Sequence, residues 1–350
     1  MANPRNEKLF GHGTDDGLAP LSPLDPSATD SVDALVRAMS QTAFGGRCLG
    51  EAADVLEAMV RDEDCYRVLT VSGAMTVAKQ GLVMCEMIER GWVQAVVATG
   101  ALMTHGLSEG VGKLHFKHAP SMSDEVLYEK GYNRVYDTIE LEKNLDDVER
   151  LLLDSLADVS TDTVLSSRVI CERLGMQLKK QGAERAVLLS ALDHGVPVYV
   201  PAFTDSELGL DFNIHNHMRA QKGADTFSFD PFIDLDEFAG HIREHETLGI
   251  FTIGGGVPRN WAQQVGPHLE VLRERLGSPE PVRRYKYAVR ICPEPVHWGG
   301  LSGCTYTEGV SWGKFVPPEE GGCFAEVHAD ATIAWPLVVR AVMERLDRSA

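Results

Sequence analysis

No stretch of the 350-residue chain approaches the roughly 18 apolar residues that a membrane-spanning helix needs, and Met1–Lys8 lacks the apolar core of a signal peptide. The expectation is a soluble, cytoplasmic protein with no membrane partner. Cations are scarce as well: 33 Lys and Arg stand against 51 Asp and Glu, a formal net charge of −18, and no basic cluster stands out. Each phosphate contact calls for a nearby cation, so a nucleic-acid partner is disfavoured. An acidic surface attracts cations instead, polyamines included. The seven cysteines are scattered, odd in number and form no Cys-x-x-Cys pair, which argues against a disulfide framework and for buried thiols in a reducing compartment.

Several catalytic signatures are also missing. There is no Gly-x-Ser-x-Gly elbow and no phosphate-binding P-loop, so serine-hydrolase and nucleotide-hydrolysis chemistry lack their marks. No Gly-x-Gly-x-x-Gly follows the first expected strand, so the ordinary dinucleotide fingerprint is absent. Two histidine pairs, His215 with His217 and His241 with His245, have ligand-like spacing. The second pair lies in the polar run HIREHETLG without a zincin glutamate, and it reads as a solvated helix face. No metal is expected.

What is present is a globular composition, 44% hydrophobic and 24% charged. Residues 1–30, rich in Gly, Pro, Ser and Asp, read as an extended N-terminal arm, and residues 31–350 as a single folded domain. Short apolar runs then alternate with amphipathic helical patterns. Strands are expected at 66–72, 93–99, 196–202, 248–254 and 286–291, with helices at 76–90, 183–193, 235–245, 260–275 and 332–347. The last helix is expected to tolerate Pro336 in its first turn, where amides are free. This pattern predicts an α/β fold with a parallel, Rossmann-like sheet covered by helices on both faces.

In such sheets ligands bind where strands end. The loops there are Ser72-Gly73-Ala74, Thr99-Gly100-Ala101, the segment 204–209 containing Asp205, and Gly254-Gly255-Gly256. Small residues let backbone amides approach a pyrophosphate, although a tight turn alone would explain each loop. Further along, Ser311-Trp312-Gly313-Lys314 sets a lysine behind an indole, downstream of Glu308. A lysine becomes a nucleophile only as the free amine, which requires burial or neighbouring charge to lower its usual pKa of about 10.4.

In order and spacing, FTIGGGVPRNW, GGLSG, TEGVSWGKF and VHADATIAWPLVV resemble the deoxyhypusine synthase family, in particular its bacterial, synthase-like branch. TAFGGRCLGEA, VVATGA, GYNRVYDT and PVYVPAFTDSELG extend the likeness from about Phe44 to the last helix. The resemblance implies NAD as cofactor and a lysine imine that carries the aminobutyl group of spermidine to an acceptor amine. Lys314 falls on the imine-forming lysine, Glu308 on a carboxylate that anchors one amino end of the polyamine, and Trp312 on a stacking indole. Ser72, Thr99, Gly100, Asp205, Gly254, Gly255, Gly256, Gly299, Asp330 and Ala331 fall on or beside cofactor positions, with Asp205 assigned to either the ribose or the nicotinamide side. The family also implies a homotetramer.

The chain departs from the eukaryotic pattern at the polyamine pocket. Asn260 replaces a histidine, Leu301 and Leu210 replace two aspartates (Asp211 being adjacent to the second), and Met103-Thr104-His105 replaces an acidic stretch. A buried ammonium needs a partner, so these changes alter which amines bind. Three readings follow: transfer to a small diamine, as in homospermidine synthesis; modification of a protein lysine, as in true deoxyhypusine synthesis; or an NAD- or polyamine-binding paralogue without transferase activity.

Overall fold

The computed structural model describes residues 5–348, so the first four residues of the expected arm lie outside it. Residues 5–30 carry three short 3-10 turns and bury no side chain. Ser31 starts the first α-helix, Val32–Ser40, by accepting a hydrogen bond from the Ala34 amide on its hydroxyl.

Six strands form the main sheet: β1 (Cys65–Val71), β2 (Ala95–Ala98), β3 (Val198–Tyr199), β4 (Thr247–Ile253), β5 (Tyr285–Ile291) and β6 (Cys323–Val327). All pairings are parallel, and the order across the sheet is β3-β2-β1-β4-β5-β6. This is the doubly wound order, whose direction of winding reverses between β1 and β4. In register, Val71 lies opposite both Ile253 and Ala98, so the ends of three central strands are level.

Alternation along the strands fills two cores. Leu69, Val71, Phe251, Ile253, Val289 and Ile291 face helices Phe44–Arg61, Gly81–Glu89 and Ala331–Asp347. Val68, Val97, Ile250 and Ala288 face helices Phe232–Glu244 and Gly256–Leu276 through Phe238, Ile242, Ala262 and Val265. Helices thus cover both faces, as the apolar strand runs imply. On the first face Arg345, fully buried, binds Asp33, Asp54 and Glu57, which ties the final helix to the first two.

Some local expectations need correction. The last helix begins at Ala331, because the Asp330 carboxylate accepts from the Thr332 amide; Pro336 therefore sits in the helix interior rather than among the free first-turn amides. The expected strand 196–202 shortens to two residues at the sheet edge. The expected helix 76–90 starts at Gly81, since residues 74–80 form a turn with Lys79 at φ +63°. Strand β6 escapes the apolar pattern because Glu326 interrupts a short run after two glycines.

Candidate active site

The reversal of winding opens the sheet between the loops that leave β1 and β4. Those loops touch: the Ser72 amide donates to the Ile253 carbonyl at 3.0 Å, and the Ser72 hydroxyl donates to the Gly255 carbonyl. Gly254 and Gly256 hold φ of +75° and +62°, a region open to glycine at little cost. Gly255 is constrained by space, since an added Cβ would lie 2.5 Å from the Ser302 Cα. This is a close-packed glycine cradle at a sheet's ligand-binding edge, and it fits a dinucleotide in kind. Thr99 caps the helix Gly100–Gly110, and a Cβ on Gly100 would strike Ser206. Asp205 precedes Ser206, the N-cap of the helix Glu207–Gln221. Ser72, Thr99, Asp205, Gly254 and Asp330 with Ala331 therefore follow β1, β2, β3, β4 and β6 along one edge.

Gly256 also opens the helix that carries Arg259 and Asn260 in its first turns. Arg259 and Arg290, both nearly fully buried, converge on the same two carbonyls. Arg259 reaches Ser302 and Cys304 at 3.3 and 2.6 Å, and Arg290 reaches them at 2.6 and 2.8 Å. Glu326 of β6 pairs with Arg290 at 2.6 Å and accepts from the Tyr306 amide at 2.6 Å. This web holds the loop at 299–305 and the short helix Tyr306–Val310, which Thr305 caps through the Glu308 amide.

The chain then turns through Gly313, at φ +69°, to Lys314. The Lys314 amide donates to Gly309 at 3.1 Å and its carbonyl accepts from Tyr285 at 2.9 Å, so its backbone is fixed from both sides. Its side chain is held at the tip, with Nζ donating to Asn260 Oδ1 at 3.1 Å and lying 6.0 Å from the Trp312 ring centroid. Around it is a cavity of about 320 Å³ lined by Lys314, Asn260, Glu308, Trp312, Gly299 and Leu301, with Arg259, Gln263 and Cys304. Lys314 is only 9% exposed, whereas Trp312 is 64% exposed and stands at the rim. Burial pushes the Lys314 amine below the ordinary lysine range; Arg259 acts in the same direction, against Cys304 and Glu308. A buried amine, a hydrogen-bond acceptor at its nitrogen, an anion and an indole at the rim can together bind a cationic chain and present a nucleophile to it.

The cavity thus gathers Lys314, Glu308, Trp312, Asn260 and Gly299. The other cofactor candidates stand outside its lining, along the strand ends. Of the departures, Leu301 puts an apolar surface into the cavity, and Leu210 is half exposed on its helix. Asp211 is buried with one carboxylate oxygen unpartnered, and burial, with Glu207 adding to it, pushes it up to about 7. Sequence reasoning missed Arg259, Gln263, Cys304 and the Arg290–Glu326 pair. For Gln263 a signal existed, since it follows Asn260 by three positions on the same helix. His241 and His245 are half-buried against Tyr66, the first stacked and the second tilted, rather than on a solvated helix face, and His215 stacks on Phe227.

Comparison with known proteins bears on this geometry. The family model for deoxyhypusine synthase matches residues 34–342. A Methanosarcina acetivorans protein named "Probable deoxyhypusine synthase 2" is 33% identical over 327 residues, 93% of this chain and 90% of that one. A "Deoxyhypusine synthase-like protein" of Chlorobaculum parvum is 32% identical over 309 residues, 87% of this chain and 84% of that one. Among solved structures, an Entamoeba histolytica protein described as "a putative deoxyhypusine synthase" superposes with a TM-score of 0.60 at 15% identity, covering 93% of this chain and 97% of that one, a likeness of fold.

Proposed function

The chain belongs to the deoxyhypusine synthase family, and on that premise we propose that it transfers the aminobutyl group of spermidine, through an imine on Lys314, to a small diamine, forming homospermidine. One observation carries the reading: Lys314 is buried and bonded at Nζ to a neutral carboxamide, with an anion and an indole lining the same cavity.

The residues divide the work as follows. Glu308 pairs with a terminal ammonium of the polyamine, and Trp312 covers its methylene chain and charge at the rim. NAD, when bound, would supply a reversible store for the hydride removed from the aminobutyl carbon beside the secondary nitrogen of spermidine. The Ser72 loop, the Gly254–Gly256 turn and the Thr99, Asp205 and Asp330 strand ends would hold that cofactor. Lys314, as the free amine, attacks the resulting carbon–nitrogen double bond, and 1,3-diaminopropane leaves with the proton that the lysine gives up. The acceptor amine then displaces Lys314 from the aminobutyl carbon by the same exchange. Asn260 accepts a hydrogen bond from Nζ and directs its lone pair without adding the negative charge that would keep the amine protonated. Leu301 adds an apolar side chain to the cavity lining, which favours methylene chains over additional ammonium groups.

The test is to incubate the full-length protein with NAD, spermidine and putrescine and follow products by mass spectrometry. Homospermidine and 1,3-diaminopropane are expected. Borohydride should fix an aminobutyl mass on Lys314 and leave Lys314→Ala unmodified. Relatives that carry the deoxyhypusine synthase name keep a second acceptor in view, a lysine of the hypusine-bearing translation factor. Label passing from spermidine to that protein and not to putrescine would replace the diamine reading. Absence of any lysine adduct would end both.

A further inference from the structure

A second group of reactive side chains lies away from the Lys314 cavity. His105 sits on the Gly100–Gly110 helix that follows β2, His115 on the segment after that helix, and Glu140 on the hairpin strand Thr138–Leu141. The three ligand atoms, one from each side chain, lie within 4.8 Å of one another. None of the three lines the Lys314 cavity.

The carboxylate of Glu140 is fully buried and its two oxygens are treated differently. Oε1 accepts from Ser108 at 3.1 Å and from Asn144 at 2.6 Å, which fixes the orientation of the group. Oε2 faces both imidazoles: His105 Nδ1 at 3.0 Å, and His115 Nε2 in contact. The His115 side chain is 1% exposed, so its Nε2 is enclosed in the cluster against the Glu140 carboxylate. Two imidazole nitrogens and one carboxylate oxygen, with the second oxygen held by outer hydrogen bonds, form the donor set of a three-ligand zinc site. The side chain of His105, 19% exposed, leaves a route for the ion and for a water as fourth ligand.

We propose that His105, His115 and Glu140 bind a divalent transition-metal ion of the zinc type, which clamps the helix after β2 to the antiparallel hairpin. Lys79 supplies a distinguishing feature. Its ammonium lies 2.6 Å from His115 Nδ1 and 3.4 Å from Glu109. Ligation through Nε2 places the imidazole proton on Nδ1, where a second donor is repelled, so the metal and the Lys79–His115 contact exclude each other. On loading, Lys79 turns to Glu109.

The experiment is calorimetric titration of tag-free, metal-stripped full-length protein with zinc chloride. One equivalent is expected to bind. His105→Asn, at the partly exposed position, should keep the fold and weaken binding by about tenfold or more; His115→Ala should remove it. Lys79→Met should bind several-fold more tightly than wild type, a gain that a purely structural hydrogen-bond network does not produce. The proposal is overturned if wild type takes up no zinc, if His105→Asn binds as wild type does, or if Lys79→Met binds more weakly. The readout is independent of transferase activity, so it stands or falls apart from the reading of Lys314.

Discussion

Replacing Asn260 by aspartate tests the centre of the proposed chemistry with a change of one atom. It converts the carboxamide 3.1 Å from the Lys314 nitrogen into a carboxylate. At an effective dielectric near 20, a charge pair at that separation is worth about 332/(20 × 3.1), roughly 5 kcal/mol. The cost of placing a new anion there, and the cavity's opening to solvent, remove half or more and leave about 2 kcal/mol. At about 1.4 kcal/mol per tenfold, the acid limb of the pH profile moves by roughly 1.5 pH units. The direction follows from the charge. In the wild type, burial holds the Lys314 amine below the ordinary range, so its free form is available at lower pH than for a solvated lysine. A neighbouring anion favours the ammonium, so Asn260→Asp needs a higher pH to lose the same proton. Near neutrality its imine formation should fall roughly 30-fold, and it should recover in alkaline buffer. The assay is single-turnover borohydride trapping of the spermidine adduct from about pH 6 to about pH 10. Asn260→Leu is the control; it removes the acceptor without adding charge and should lower the rate without moving the limb toward alkaline pH. If folded Asn260→Asp shows the wild-type limb, the reasoning about Lys314 and its partner is wrong.

Other expectations concern the cradle, the rim and the core. Gly255→Ala places a methyl 2.5 Å from the Ser302 Cα, so it should cost about 1–3 kcal/mol in urea unfolding and weaken NAD binding measured by fluorescence. Trp312→Ala, at an exposed position, should leave the melting temperature nearly unchanged while raising KM for spermidine severalfold, since a cation–π contact at such a site is worth about 0.5–1 kcal/mol. Arg345→Met breaks a buried network and should cost about 3–5 kcal/mol near pH 7. Arg345 and Arg37 outweigh the burial that raises the Asp33 carboxyl and hold it below its usual value; this stabilisation is present above about pH 4 and fades as pH falls through the depressed value. The difference between Arg345→Met and wild type in urea midpoints should therefore shrink in acid.

The reach of sequence reading differed from element to element. β1, β4 and β5 announce themselves as largely apolar runs because they are buried on both faces, and their buried polar residues, such as Thr70, Thr252 and Arg290, are hydrogen-bonded within the fold. β6 carries Glu326, whose charge is neutralised by Arg290 thirty-six positions away, and no local pattern reveals such a partner. Pro336 misleads for a related reason: the helix start depends on the Asp330 cap, and the proline falls in the interior once that start is set. The missed Arg259 looks like a surface residue of a helix until the carbonyls of Ser302 and Cys304 arrive from elsewhere in the chain.

By itself, the sequence determined the family, the alternation of strands and helices, and a short segment in which Glu308, Trp312 and Lys314 stand close because the backbone places them so. Local chemistry of that kind is readable because it depends on neighbours within one or two turns. Only the tertiary structure decided that winding reverses between β1 and β4, that Asn260 sits on the Lys314 nitrogen, and that two buried arginines hold the wall between them. Only it drew His105, His115 and Glu140 together from three separate elements. These are contacts between distant parts of the chain, created by packing a sheet between two layers of helices, and the same packing supplies the burial that lowers the proton affinity of one lysine.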